Sequence, residues 1–134
     1  MIIRPFIPSS VHRITTILGR ALALTEEEAE RELQDVLKDF NARHLNLEAQ
    51  LLANHERVAS HIFTHRQLSR TRKLLIGALF SGEYALESAA LFNPSIVPHP
   101  DQEGVPKGGI RFVMSLRATG EGHISSIEFR TGLI

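Results

Sequence analysis

The chain has 134 residues, with 15 lysines and arginines against 15 aspartates and glutamates, seven histidines and no cysteine. That length suits one ordinary domain and is short for a closed α/β barrel or a complete propeller, which commonly need about 200 residues or more. An apolar share of 43% excludes a disordered chain, zero net charge excludes a uniformly basic polyanion binder, and the lack of cysteine excludes a disulfide scaffold, a thiol nucleophile and a thiolate metal site.

The start, Met1 to Ile7, is apolar but short and interrupted by Arg4 and Pro5, so it does not read as a targeting peptide. The longest apolar stretch, Leu74 to Phe80, is far below the roughly 20 residues that span a bilayer. A cytoplasmic protein without a membrane partner is expected.

Helical periodicity runs to about Leu91. A first helix opens at Ser9 or Ser10, whose hydroxyl suits the free amides of a first turn, with Val11, Ile14, Leu18, Ala21 and Leu22 on one face. Thr25 and Glu28 form a capping box for a second helix, with Ala29, Leu33, Val36, Leu37 and Phe40 as its apolar stripe. Its acid-rich side, Glu26 to Asp39, reads as a solvated face. A third helix opens at Asn46 and buries Leu47, Leu51, Val58 and Ile62, with His55 on the same stripe. Ser69 caps a fourth, with Leu74, Leu75, Ala78 and Leu79 inward, and Tyr84 to Leu91 continues helically after Gly82. Short connections make this an antiparallel bundle of about four helices.

The pattern changes at Phe92. Asn93-Pro94-Ser95 breaks the helix, Ile96-Val97 is extended, and His99 to Gly109 is a loop rich in proline and glycine. Ile110 to Ala118 alternates, Gly120 to Gly122 turns, and Ile124 to Thr131 alternates again, which predicts an antiparallel hairpin. The fold class is therefore α+β, divided as 1–91 and 92–134. Two apolar strands are too few to be stable alone, so the hairpin reads as the opening of a larger sheet.

Two clusters have ordinary explanations. His61 and His65 lie four apart, a zinc-compatible spacing, but without a third ligand they read as partly buried helix histidines, as does His55. Arg66, Arg70, Arg72 and Lys73 read as a solvated helix start; with one nearby aromatic, Phe63, and a neutral chain, no nucleic-acid partner is expected. His12 and His44 are isolated and carry no pattern.

Two runs carry a family resemblance: Ala90-Leu91-Phe92-Asn93-Pro94-Ser95-Ile96-Val97-Pro98-His99-Pro100-Asp101, and Phe112-Val113-Met114-Ser115-Leu116-Arg117-Ala118 followed by Gly120-Glu121-Gly122-His123-Ile124-Ser125-Ser126-Ile127. Together they resemble the first blade of glycoside hydrolase family 130, the mannoside phosphorylases and mannosidases. Arg4-Pro5-Phe6, the helix from Thr25 to Arg43 and Leu74-Leu75-Ile76-Gly77-Ala78 are similar to the helical region that precedes the propeller in longer members. The resemblance implies a five-bladed β-propeller that cleaves β-mannosides with inorganic phosphate as co-substrate, or with water, through a single acidic Asp. It needs no other cofactor. It places Asn93 and Arg117 at a sugar-binding face, with Glu121, His123, Ser125 and Ser126 around the same turn. Asp101 does not match the catalytic position, and the segments expected to supply the catalytic Asp and phosphate ligands lie beyond Ile134. The resemblance thus implies an N-terminal part of such an enzyme, inactive in isolation. The residues alone leave a second reading: a non-enzymatic helical interaction module that forms homo-oligomers through exposed strand edges.

Overall fold

A computed structural model describes residues 1–64 and 66–134. The elements in order are β1 (Ile2–Pro5), α1 (Val11–Ala23), α2 (Glu26–Phe40), α3 (Leu47–Val58), α4 (Arg70–Leu79), β2 (Ser81–Tyr84), β3 (Ala90–Pro98), β4 (Arg111–Thr119) and β5 (Ser125–Leu133). Strands β1 and β2 form a two-stranded sheet, and β3–β4–β5 form a three-stranded antiparallel meander. The chain divides into two compact units, Met1–Glu83 and Tyr84–Ile134. No helix among the described residues is long and apolar enough to cross a membrane.

In the first unit α4 is the element the others pack on, meeting α1, α2 and α3. Its run Leu74, Leu75, Ile76 and Gly77 is buried without interruption, as a helix surrounded by others requires. One core cluster joins Ile14, Leu18 and Ala21 of α1 to Val58, Ile76 and Phe80; a second joins Leu33, Leu47, Leu51 and Leu74. Val11 and Leu79, expected inward, are exposed: Val11 opens α1, and Leu79 faces away from the clusters that its neighbours Ala78 and Phe80 join.

The four expected N-cap positions hold, and the side chains of Thr25 and Ser69 make capping bonds while those of Ser10 and Asn46 do not. Thr25 and Glu28 form the reciprocal capping box, Asn46 is the left-handed N-cap of α3, and the Ser69 hydroxyl accepts from the Arg72 amide at the start of α4. Ser10 sits at the N-cap of α1, but its side chain makes no capping bond. α3 stops at Val58, and His61 lies in a 3-10 turn (Ala59–His61) rather than in the helix; the paired His65 falls outside the described residues.

The carboxyls around the start of α2 make stability depend on pH. Hydrogen bonds from Ser69 and Arg72 pull Glu26 below the ordinary carboxylate value, those from the Thr25 backbone and hydroxyl pull Glu28 down, and those from Gln34 and Thr71 pull Glu30 down. Each carboxylate is thus favoured in the folded chain over the unfolded one. Its contribution is complete above the ordinary value of 4.5 and is lost as pH falls through the lower folded values. Thermal unfolding followed by circular dichroism from about pH 6 to about pH 3 should show a falling midpoint, with a shallower fall in Glu28→Gln.

Two expectations for the second half are corrected. Residues 84–91 are not helical: Ser81–Tyr84 is a strand, and β3 begins at Ala90. Asn93-Pro94-Ser95 does not end a helix but forms a bulge inside β3. There the register slips between Phe92, opposite Arg117, and Ser95, opposite Ser115, and Asn93 takes a left-handed φ of 55°. A bulge is where an interior strand proline fits, because no ladder amide is demanded of it. The hairpin is therefore the last two strands of a three-stranded meander.

The long connection from β3 to β4 is organised by side chains. The Gln102 amide donates to the carbonyls of His99 and Arg111 and accepts from the Arg111 amide, reinforcing the strand end where the His99 amide also donates to the Arg111 carbonyl. The Arg111 guanidinium donates to the Asp101 carboxylate and to the Glu103 carbonyl. Asp101 also accepts from the Glu103 amide, so its carboxylate closes a loop.

Candidate functional site

The strand pairings decide which sheet residues share a face. Arg117 stands opposite Phe92 on one side and Ile127 on the other, and Thr119 stands opposite Ala90 and Ser125. Directly opposed residues point to the same face. One face thus carries Phe92 and Val97 of β3, Val113, Ser115 and Arg117 of β4, and Ser125, Ile127 and Phe129 of β5. The other carries Leu91 and Ile96, then Phe112, Met114, Leu116 and Ala118, then Ser126, Glu128 and Arg130.

Of the six residues singled out in the sequence, Arg117 and Ser125 meet. The guanidinium lies 5.2 Å from the Phe92 ring centroid and donates to the Ser125 hydroxyl at 3.1 Å. Asn93, exposed and left-handed, follows Phe92 at the bulge. Glu121 and His123 occupy the 3-10 turn between β4 and β5, where His123 has a φ of 59°. The carbonyl of Glu121 accepts from the Tyr84 hydroxyl at 3.0 Å, which anchors the turn. Ser126 is on the opposite face, with its hydroxyl 3.4 Å from the Glu128 carboxylate. Phe92 is the member that sequence reasoning did not single out. The available signal was its place beside Asn93 on an alternating strand, but only the register reveals that Arg117 lies across from it.

A guanidinium laid on an aromatic face and pinned by a hydroxyl is a planar donor held in one orientation. This one remains exposed, so its outward N–H groups are open to a ligand. On the other face Arg130 pairs with Glu87 and, at 3.7 Å, with Glu128; these two carboxylates raise its affinity for its proton.

The first unit holds a second polar cluster. His44, buried in the connection between α2 and α3, has Nε2 2.6 Å from the Glu83 carboxylate, and Arg43 reaches the same oxygen at 3.4 Å. The His44 ring stacks on Phe40 with centroids 6.3 Å apart, and the Arg43 guanidinium covers the same phenyl ring at 4.9 Å. Nearby, Asn54 donates to the Ser81 hydroxyl, which donates to the Gly77 carbonyl. Both sets tie β2 to the helices. His44 carried no local signal because its partner is 39 positions away.

His55 is buried, with Nδ1 3.2 Å from the Glu56 carboxylate; its Nε2 is a buried polar atom without a partner among the described residues. No group of three or more His, Asp or Glu able to hold a metal occurs among the described residues. No protein-family model matches this chain, and neither a curated protein nor a solved structure matches it.

Proposed function

We propose that this chain is part of a carbohydrate-active protein resembling the β-mannoside phosphorylases, in which β3–β4–β5 is the first blade of a propeller and Arg117 helps hold the sugar. The observation that carries this reading is the Arg117 guanidinium, fixed on Phe92 and by Ser125, beside the exposed Asn93 at the bulge. Sugar recognition needs planar donors and mixed donor–acceptor groups aimed at several hydroxyls; a guanidinium and a carboxamide supply them. Holding the guanidinium before the ligand arrives lowers the ordering cost of binding. Glu121 and His123, at the adjacent turn, are the next contacts in this reading, and Ser126 is the least directly involved.

The blade assignment has a separate physical support. Both faces of the sheet carry exposed apolar side chains, Leu91 and Ile96 on one and Val97, Ile127 and Phe129 on the other. A sheet of that kind wants cover on both sides, as a propeller provides between neighbouring blades. The substrate class is a mannoside or related oligosaccharide, inorganic phosphate is the co-substrate, and the location is cytoplasmic. No residue here matches the catalytic acid, so the 134-residue chain is an incomplete site. A second reading, a non-enzymatic interaction module, is favoured by the edge of β5, which no strand among the described residues covers.

The test is a titration of the isotope-labelled chain with β-mannobiose, read by amide chemical shifts, with mannose 1-phosphate assayed in parallel. Shifts should concentrate at Asn93, Arg117 and Ser125 with a dissociation constant of about 10 mM, a weak partial site. They should vanish in Arg117→Ala, and no mannose 1-phosphate should form. Uniformly absent shifts, or shifts centred elsewhere, overturn the sugar face; product formation overturns the incomplete-site assignment.

A further inference from the structure

We propose that this chain forms a two-fold dimer in which β5 pairs antiparallel with β5 of a second copy, centred on Phe129. The meander has two edges, and they differ. β3 is guarded: Pro94 and Pro98 cannot donate, and the bulge at Asn93 bends the strand out of register. β5 has none of these devices. It runs from Ser125 to Leu133 without proline, keeps continuous register with β4, and has no strand on its other side among the described residues. An edge so long and regular presents backbone donors and acceptors in the arrangement that recruits another strand.

The sequence of β5 says which strand fits. Phe129 is the midpoint of Ser125–Leu133. A two-fold axis there sets Phe129 against its own copy, Ile127 against Thr131, Ser125 against Leu133, and Glu128 against Arg130. The last pairing occurs twice, once on each side of the axis. Directly opposed side chains in an antiparallel pair lie close enough for an ion pair, and opposite charges there favour association. A two-fold contact must be self-complementary, and a strand reading Glu-Phe-Arg about its centre meets that condition. Glu128 and Arg130 already approach within one chain, so pairing extends two charges into an alternating row of four. On the other face the aromatic and aliphatic side chains of Phe129 and Ile127, 64% and 60% exposed, gain neighbours. The dimer is a six-stranded sheet whose remaining edges are the two guarded β3 strands.

Light scattering on the eluting chain should give about twice the monomer mass of 15.0 kDa, falling with dilution. Phe129→Glu places like charges on the axis and should give a folded monomer, its fold checked by circular dichroism. Glu128→Arg and Arg130→Glu each set like charges opposite each other twice, and each should weaken association about ten-fold. Mixed one to one they are complementary and should recover the dimer as a heterodimer. A wild-type chain that stays monomeric at all concentrations, its β5 edge then open or kept for another protein, overturns the proposal. So does a dimer that survives Phe129→Glu, or a mixture that fails to associate. The dimer and the propeller blade draw on the same β5 edge, where a four-stranded blade has its last strand, so the dimer measurements bear on the blade assignment, while the sugar titration at Arg117 is read on its own.

Discussion

Gly77→Ala should unfold or severely destabilise the first unit, although alanine is the better helix former. A Cβ at Gly77 would lie 1.9 Å from the Leu51 carbonyl oxygen and 2.6 Å from its carbon. These are backbone atoms of α3, so no side chain can rotate away; the helices themselves must separate. The propensity gain from glycine to alanine is about 1 kcal/mol. Overpacking a close-packed interface costs about 1–3 kcal/mol and more where backbone must move, so the clash wins and a net loss of about 3 kcal/mol is expected. The damage spreads because both core clusters draw on α4, and because the Ser81 hydroxyl donates to the carbonyl of Gly77 itself. Gly19 supplies the control. It lies in α1, and a Cβ there would meet nothing within 4 Å, so Gly19→Ala should be neutral or stabilising by up to about 1 kcal/mol. Urea unfolding followed at a helical wavelength separates the two; similar midpoints for both variants would refute the close-approach account.

The contrast between these glycines shows where the sequence can be read and where it cannot. Elements whose cause is local were legible: Thr25 with Glu28 and Ser69 before Arg72 mark two helix starts by side-chain chemistry within four residues, and Asn46 before Leu47 marks a third by its left-handed backbone. The alternation through Phe112, Met114 and Leu116 marked β4, and its glycine turn led to β5. Elements whose cause is tertiary were not. Ile2–Pro5 is too short to show alternation and is a strand because β2 pairs with it, and residues 84–91 carry apolar spacing that suits a helix as well as an irregular approach to a sheet. The candidate site divides in the same way. Asn93 and Arg117 are visible as residues, but the stacking of Arg117 on Phe92 depends on a register with a slip in it, and nothing in either strand alone announces that slip.

Arg72 is where sequence and structure differ most, and replacing it should cost nearly as much as the glycine substitution. It reads as one of four basic residues at a solvated helix start, yet it is 6% exposed. A signal was present: Leu68, Arg72, Leu75 or Ile76, and Leu79 fall on one stripe, so the arginine interrupts an apolar face. Its stem is buried and its guanidinium spans a helix junction. It donates to the carbonyls of Ala21 at 2.5 Å and Leu24 at 2.9 Å, and through two nitrogens to Oε1 of Glu26 at 2.9 and 2.7 Å. The last-turn carbonyls of α1 have no partner within their helix, so Arg72 caps α1 while bracing the first turn of α2. The ion pair is the smaller part, because the Glu26 side chain is 60% exposed and solvent screens it. The larger part is the buried Ala21 carbonyl, whose desolvation without a donor costs about 1–3 kcal/mol, together with the packing of the stem. Arg72→Ala should therefore lower stability by about 3 kcal/mol, enough to shift a small unit's melting midpoint by more than about 10 °C. Arg72→Lys should recover less than half, since one ammonium cannot reach both carbonyls and the carboxylate in a fixed fork. Glu26→Gln should cost only a small fraction of the Arg72→Ala loss, because water already screens that carboxylate. If the two losses were equal, the ion pair rather than the capped carbonyls would be the source of the stability.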